Sequence, residues 1–245
     1  KAFCIDCIEG MKQYGDKHFD LAVCDVPYGI GVSKMPYTKG GTHSVLQKNG
    51  TRKNAKRLKK VTNTSWDDAT PTQAYFDELR RVSHHQIIFG VEYVDWKGLG
   101  PGRIKWNKLV PEGVSFKAYE MAYCSFIDYT YEIDLLWSGM QQAKSLSEPT
   151  VQKGNKKLNE KRIHPTQKPV LLYKKLLLFY KEEMGGDLFS SYRLSVLDTH
   201  LGSGSNRIAC FDMGIDFIGF EIDGNHFSDQ EQRFKNHISQ LSIFA

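Results

Sequence analysis

The sequence predicts an α/β protein, a mostly parallel sheet with helices on both faces. Three observations carry this. Short apolar runs that suit buried strands alternate with segments of helical spacing along the chain. Alternation of that kind implies parallel pairing, because each return crossover needs a covering helix. Several strand-like runs also end in an acid, Asp25, Asp198 or Glu221, and ligands of such sheets collect at the carboxyl ends of strands.

Residues 2–6 (AFCID) and 20–25 (DLAVCD) read as short buried strands, with a helix- or turn-like segment, CIEGMKQYGDK, between them. Residues 70–82 predict a helix with Thr70 as N-cap, Pro71 in the first turn and apolar residues at helical spacing. Residues 86–90 form a strand ending at Gly90, and residues 102–108 and 119–126 are β-rich. Residues 139–163 are polar and read as loop. Residues 169–184 are helical, with Pro169 in the first turn, where an N–H has no partner to lose. Strands at 195–199 and 216–221 bracket a helix at 205–214, and a last helix covers 224–240. Seven strands are read in this way along the chain.

At 245 residues, 40% apolar and 12% aromatic, the chain has ordinary globular composition. No apolar run approaches membrane-spanning length and no cationic-then-apolar leader is seen, so a cytoplasmic protein away from the membrane is expected. The five cysteines lie mostly in strand-like segments, which suits reduced thiols. Cys4 and Cys7 make a lone CxxC without further ligands at compatible spacing, so no metal is expected.

The net charge of +5 is unevenly spread. From Val26 through Trp66 there is no Asp or Glu, while Lys34, Lys39, Lys48, Arg52, Lys53, Lys56, Arg57, Lys59 and Lys60 fall in that window. A solvated surface loop has this composition. So does a loop that lies on a polyanion and displaces its counterions.

Three motifs carry chemistry. SVLDTHLGSGSNRIA is a strand ending at Asp198, then Gly202-Ser203-Gly204, then a helix. Glycines there let backbone approach a ligand, and the helix start offers free N–H groups. Glu221, about twenty residues later, suits a carboxylate accepting from ribose hydroxyls. GxGxxG fails at Arg207, which favours a compact nucleoside ligand over a dinucleotide. The second motif, DLAVCDVPYGIG, delivers Asp25, Val26, Pro27 and Tyr28 at a strand tip. Pro27 drives Val26 toward extended backbone, so its carbonyl and the Asp25 carboxylate are two acceptors beside an aromatic plate. That suits a planar base with an amino group. The third, HPTQKP (residues 164–169), packs a cation, an amide and hydroxyl and imidazole groups before a helix.

Together these residues resemble the DNA adenine N6-methyltransferases of the β order, in which the catalytic motif precedes the cofactor motif. D-P-P-Y appears as Asp25-Val26-Pro27-Tyr28, and D-P-F-x-G-S-G-T as residues 198–205. HPTQKP matches without change, and D-x-x-x-x-M fits residues 6–11. The resemblance implies a Rossmann-like S-adenosylmethionine-dependent methyltransferase, circularly ordered with the catalytic half first, as a single domain over 1–245; in that order the seven strands form one mostly parallel sheet in which residues 2–6 lie beside 216–221, so the first and last strands are neighbours. It implies a DNA-contact loop at 29–65 holding the nine cations above, and a short target-recognition segment at 127–163. Cofactor contacts carried over are Asp6, Cys7, His164, Thr166, Gln167, Lys168, Asp198, His200, Gly202, Ser203, Gly204, Glu221 and Ile222. Lys168 and the helix start would meet the ligand's carboxylate. Asp25, Val26, Pro27 and Tyr28 would act on a flipped adenine in double-stranded DNA. Val26, Thr199 and His200 depart from the family pattern, in Val26 for a proline and Thr199-His200 for Pro-Phe. The implied setting is a prokaryotic or phage restriction-modification enzyme, and a homodimer is compatible with it. An N4-cytosine methyltransferase and a nonenzymatic DNA-binding protein on the same scaffold are the alternatives. Asp rather than Ser at position 25 favours adenine.

Overall fold

The computed structural model describes residues 1–31, 42–46, 50–56, 67–110, 117–138, 141–185 and 193–242. Its strands are β1 Ala2–Cys4, β2 Phe19–Asp25, β3 Thr42–Leu46, β4 Arg52–Lys56, β5 Ser83–Phe89, β6 Arg103–Asn107, β7 Tyr119–Cys124, β8 Thr130–Asp134, β9 Trp137–Ser138, β10 Gln141–Gln142, β11 Ser195–Asp198 and β12 Asp216–Glu221. The helices are α1 Cys7–Met11, α2 Gln73–Val82, α3 Val170–Glu183, α4 Ser205–Asp212 and α5 Gly224–Ser242.

Eight strands form the main sheet in the order β1-β12-β11-β2-β5-β7-β6-β8. Every neighbouring pair is parallel except those made by β7, the single reversed strand. β1 lies beside β12 with Ala2 opposite Gly219 and Cys4 opposite Glu221, so the chain's first and last strands are neighbours as the sequence predicts. The sheet has one strand more than the seven expected. The extra one is β8, an edge strand in which Ile133 is the one deeply buried residue. So little burial leaves a weak hydrophobic pattern, and the segment 127–163 that contains it gave no strand signal. β3 pairs with β4, and β9 with β10, as separate antiparallel ladders.

Strand residues point alternately to two cores. Leu21 and Val23 of β2, with Ile87 and Phe89 of β5, pack under α3 and α4 through Leu172, Leu176 and Ala209. Ala22, Cys24 and Ile88 face the other way, against Met11 of α1 and Phe76 and Leu79 of α2. α2 buries Tyr75, Phe76, Leu79 and Val82, a stripe at helical spacing. It starts at Gln73, with Thr72 rather than Thr70 at its N-cap. Pro169 also lies outside its helix, in extended conformation at the cap of α3. Because β1, β12, β11, β2 and β5 run the same way, their carboxyl ends share one edge. Asp198, Glu221 and Asp25 therefore emerge together.

Among the described residues, no helix is long and apolar enough to cross a membrane.

Candidate active site

A cavity of about 550 Å³ opens along that carboxyl edge. This lies in the range of small-ligand sites. It unites residues remote in sequence: Asp6 and Cys7, residues 25–28, His164, residues 166–168, His200, residues 202–203, and Glu221 with Ile222.

One end is built on β12 and the loop after β11. The Glu221 carboxylate accepts from Gly202 N at 2.8 Å and Asp223 N at 2.9 Å. It keeps lone pairs for hydroxyls of a ligand. Gly202 takes a left-handed φ of 49°, which a side chain rarely adopts. Ile222 is 65% exposed at the rim, an apolar face without protein cover. Asp6 caps α1 by accepting from Ile8 N and Glu9 N. Burial pushes the neighbouring Cys7 thiol up to about 12, so it is neutral. Thr199 is buried, its hydroxyl 2.5 Å from Tyr75 Oη and 2.9 Å from His200 Nδ1. This substitution for an apolar pair is thus internally satisfied. Burial lowers His200 to about 4, and lowers His164, which also faces His226 and Lys168, to about 3. Both imidazoles are neutral at physiological pH.

Two expected cofactor residues do not line the cavity. Asp198 is buried beneath the loop, accepting from His200 N at 3.0 Å and Asn206 Nδ2 at 3.1 Å. Its role is to shape the loop, and burial raises it to about 7. Gly204 is the left-handed cap of α4, and a Cβ there would press on Gln230.

The other end holds the strand tip. Tyr28 Oη donates toward Asp25 Oδ1 at 2.9 Å and lies 3.2 Å from Glu120 Oε2. The Tyr28 ring stacks on Tyr93 at 4.8 Å and 13°, so one face of the expected base-stacking plate is covered. A side chain at Gly90, in left-handed conformation just before Tyr93, would collide with that ring. Asp67 is buried and accepts from Tyr28 N at 2.9 Å and Gly29 N at 3.0 Å. It is the first acid after the acid-free window, and it ties the end of that window to its beginning. Lys34, Lys39, Lys48, Arg57, Lys59 and Lys60 lie outside the described residues, and Arg52, Lys53 and Lys56 are described only as backbone of β4.

HPTQKP behaves differently from the expectation. Lys168 is buried, and its ammonium pairs with Asp25 and with Glu120 at 3.1 Å. It also donates to Tyr28 Oη at 3.1 Å. It points to the catalytic tip, away from a role as counterion for a ligand carboxylate. The α3 start is occupied too: Val170 N donates to Glu160 Oε1 at 3.0 Å, and Glu160 pairs with Arg233. Gln167 braces its own turn by accepting from Ile163 N. Thr166 Oγ1 lies 3.1 Å from His164 Nδ1. A buried ammonium needs an anion, and Asp25 and Glu120 supply two. Glu120 on β7, which no motif flags, is therefore part of the site. Burial raises Asp25, opposed by Lys168 and reinforced by Glu120. Burial also works against Glu120, but Lys168 and Lys108 outweigh it and hold Glu120 at about 2.

Among the described residues no group of three or more His, Cys, Asp or Glu could hold a metal ion.

The fold is thus a mostly parallel α/β sheet whose carboxyl edge brings together the cavity, acids at three strand ends and a glycine-bearing loop. The chain belongs to the family of N6/N4 DNA methylases, whose model matches residues 34–232. That span includes HPTQKP and the glycine loop, and begins after the Asp25 tip. No curated protein matches the chain. Among solved structures, it is similar to the M1.HpyAVI–SAM complex, at 14% identity over 96% of this chain and 98% of that one, with a TM-score of 0.49. TTHA0409 from Thermus thermophilus, described as a candidate DNA modification methylase, is 16% identical over 97% and 95%, with a TM-score of 0.45. The PvuII DNA methyltransferase, cytosine-N4-specific, is 11% identical over 96% and 86%, with a TM-score of 0.49.

Proposed function

We propose that the protein methylates the N6 amine of adenine in double-stranded DNA, with S-adenosylmethionine as donor. The observation that carries this reading is the Asp25 carboxylate: Tyr28 and Lys168 engage its Oδ1, and among the described residues no hydrogen bond reaches Oδ2.

The cavity fits the donor in its chemistry. Glu221 is poised for ribose hydroxyls, Ile222 offers an apolar face to a nucleobase, and the left-handed Gly202 keeps the wall low. Asp6 and Asp25 supply negative charge near a cationic ligand. His164, Thr166, Gln167, His200 and Ser203 are its further polar contacts. Bound there, S-adenosylmethionine supplies a methyl group already activated on a sulfonium.

An adenine amine is a poor nucleophile because its lone pair is delocalised into the ring. Asp25 Oδ2 accepts one amine hydrogen and the Val26 carbonyl the other. This favours a pyramidal nitrogen and stabilises the positive charge that grows as the N–C bond would form and the donor's C–S bond break to leave a neutral thioether, after which the nitrogen would release one proton to solvent. Pro27 fixes the direction of the Val26 carbonyl. The target must leave the duplex to reach this tip. The Tyr28 ring then offers stacking worth roughly 1–3 kcal/mol, on the face away from Tyr93 or after Tyr93 yields its place. Lys and Arg of residues 29–65 hold phosphates, and Asp67 anchors that loop beside the flipped base. Sequence readout falls to this loop and to residues 127–163 outside β8.

The test is incubation with labelled S-adenosylmethionine and mixed-sequence duplex DNA, followed by nucleoside analysis. N6-methyladenine is expected. N4-methylcytosine would move the substrate to cytosine, and no methylated nucleoside would sink the enzymatic reading.

A further inference from the structure

The catalytic tip contains more charge than the proposed reaction uses. Glu120 lies on β7, the reversed strand, and belongs to none of the motifs. Yet its carboxylate meets Lys108 and Lys168 and comes within 3.2 Å of Tyr28 Oη. Those last two groups are the ones that hold Asp25 by Oδ1. Glu120 and Asp25 thus share a single ammonium and a single hydroxyl.

We infer that Glu120 is a positioning residue: it gives Lys168 and Tyr28, which both lie closer to Asp25, a second acceptor, and so holds the Asp25 carboxylate with Oδ2 turned to the target amine. The inference rests on Asp25 being the amine acceptor. Were Lys168 and Tyr28 to face Asp25 alone, their full hydrogen-bonding pull would fall on that carboxylate. The carboxylate would then be a weaker acceptor, because acceptor strength follows basicity, and it would follow the ammonium rather than the substrate. Glu120 moderates that pull by sharing both groups and, with Lys108 as its second cation, can keep Lys168 neutralised when Asp25 turns to the base. The groups acting on Asp25 are the charges of Lys168 and Glu120 and the neutral hydroxyl of Tyr28, together with Asp198 on β11; Tyr173 on α3 also lies within its electrostatic reach. Of the two negative neighbours, Glu120 is the one that shares Asp25's partners. Its charge raises Asp25, so its removal should lower the Asp25 pKa.

The test is Glu120→Gln, which keeps shape and removes charge. Single-turnover methyl transfer should fall about tenfold or more, as for a displaced reacting group. Affinity for S-adenosylmethionine, measured by calorimetry without turnover, should stay the same. Carboxyl ¹³C NMR should show the Asp25 midpoint moving to lower pH, and the acid limb of the rate profile should move with it. A merely structural role would change stability and leave both midpoints in place. If Glu120→Gln fails to fold, the charge-balanced double variant Glu120→Gln/Lys108→Met is measured instead, with the same expectations. Wild-type rate and an unmoved Asp25 midpoint would overturn the inference. Asp25→Asn run in parallel keeps the two ideas apart: if it transfers methyl groups at the wild-type rate, the acceptor role itself is wrong, whereas an inactive Asp25→Asn beside a normal Glu120→Gln defeats only the role of Glu120.

Discussion

The two ends of the cavity bury carboxylates by different means. At the strand tip, Asp25 and Glu120 are balanced by the side-chain cations Lys168 and Lys108. Around Glu221 and Asp198 the partners are mostly backbone N–H groups, those of Gly202, Asp223 and His200. Side-chain cations can follow a substrate and change partners. Backbone donors cannot do so without remaking the loop. On the proposed function, the tip would exchange hydrogen bonds during the reaction, and the opposite end would hold the cofactor in a fixed receptor.

The sharpest way to break that contrast is at Asp25. Asp25→Ala should lose methyl transfer by about a hundredfold or more while still binding S-adenosylmethionine, as for loss of a preorganised electrostatic group. Near-normal turnover would show that the tip is not the reacting end. Replacing Arg52, Lys53, Lys56 and Arg57 with Ala asks whether the loop joined to the tip serves DNA alone. Each phosphate that is no longer neutralised should flatten the log–log salt dependence of DNA binding by about 0.9. Cofactor affinity should not move, and parallel salt titrations of variant and wild type would take the loop off the DNA.

Glu221→Ala probes the fixed end. It orphans two backbone donors, a stability cost of roughly 1–3 kcal/mol, and removes the acceptor proposed for the ribose hydroxyls; hydrogen bonds to a charged group contribute about 1.5–3 kcal/mol, or roughly ten- to a hundredfold in cofactor affinity. Calorimetry should find that loss, with turnover at saturating cofactor nearly intact; the reverse pattern would exchange the roles of the two ends. A last contrast concerns pH. Burial lifts Asp198 from 3.8 to about 7, so between these values the folded protein keeps a proton that the unfolded chain has released. The stability this gives is full below about pH 4 and is lost as pH rises through about 7. Asp198→Asn removes that titration, so wild-type Tm should decline relative to the variant across this range. A Tm difference that does not vary with pH would mean that Asp198 is already ionised in the fold.

The acids that matter were legible where they end a strand and precede a turn, as Asp25 and Glu221 do. Glu120 was not, because YEMAYC carries no sign that its second residue faces a lysine from before α3. Asp67 was visible only as the end of an acid-free window. HPTQKP was visible as a cluster, but its direction was not: Lys168 turns to Asp25, and Glu160 reaches the α3 start that seemed open to a ligand.

By itself the sequence determined the order of strands and helices and the covering of both sheet faces and, through the family's motif order, the adjacency of the first strand to the last. The first two follow from local periodicity and from the few crossovers that parallel strands permit. The tertiary structure alone decided which cation neutralises which acid. Lys168, Asp25 and Glu120 are far apart in the chain, and each could pair with several charges. Only the packed sheet, with β7 reversed between β5 and β6, brings these three to one buried point where an unpaired charge would be too costly to leave.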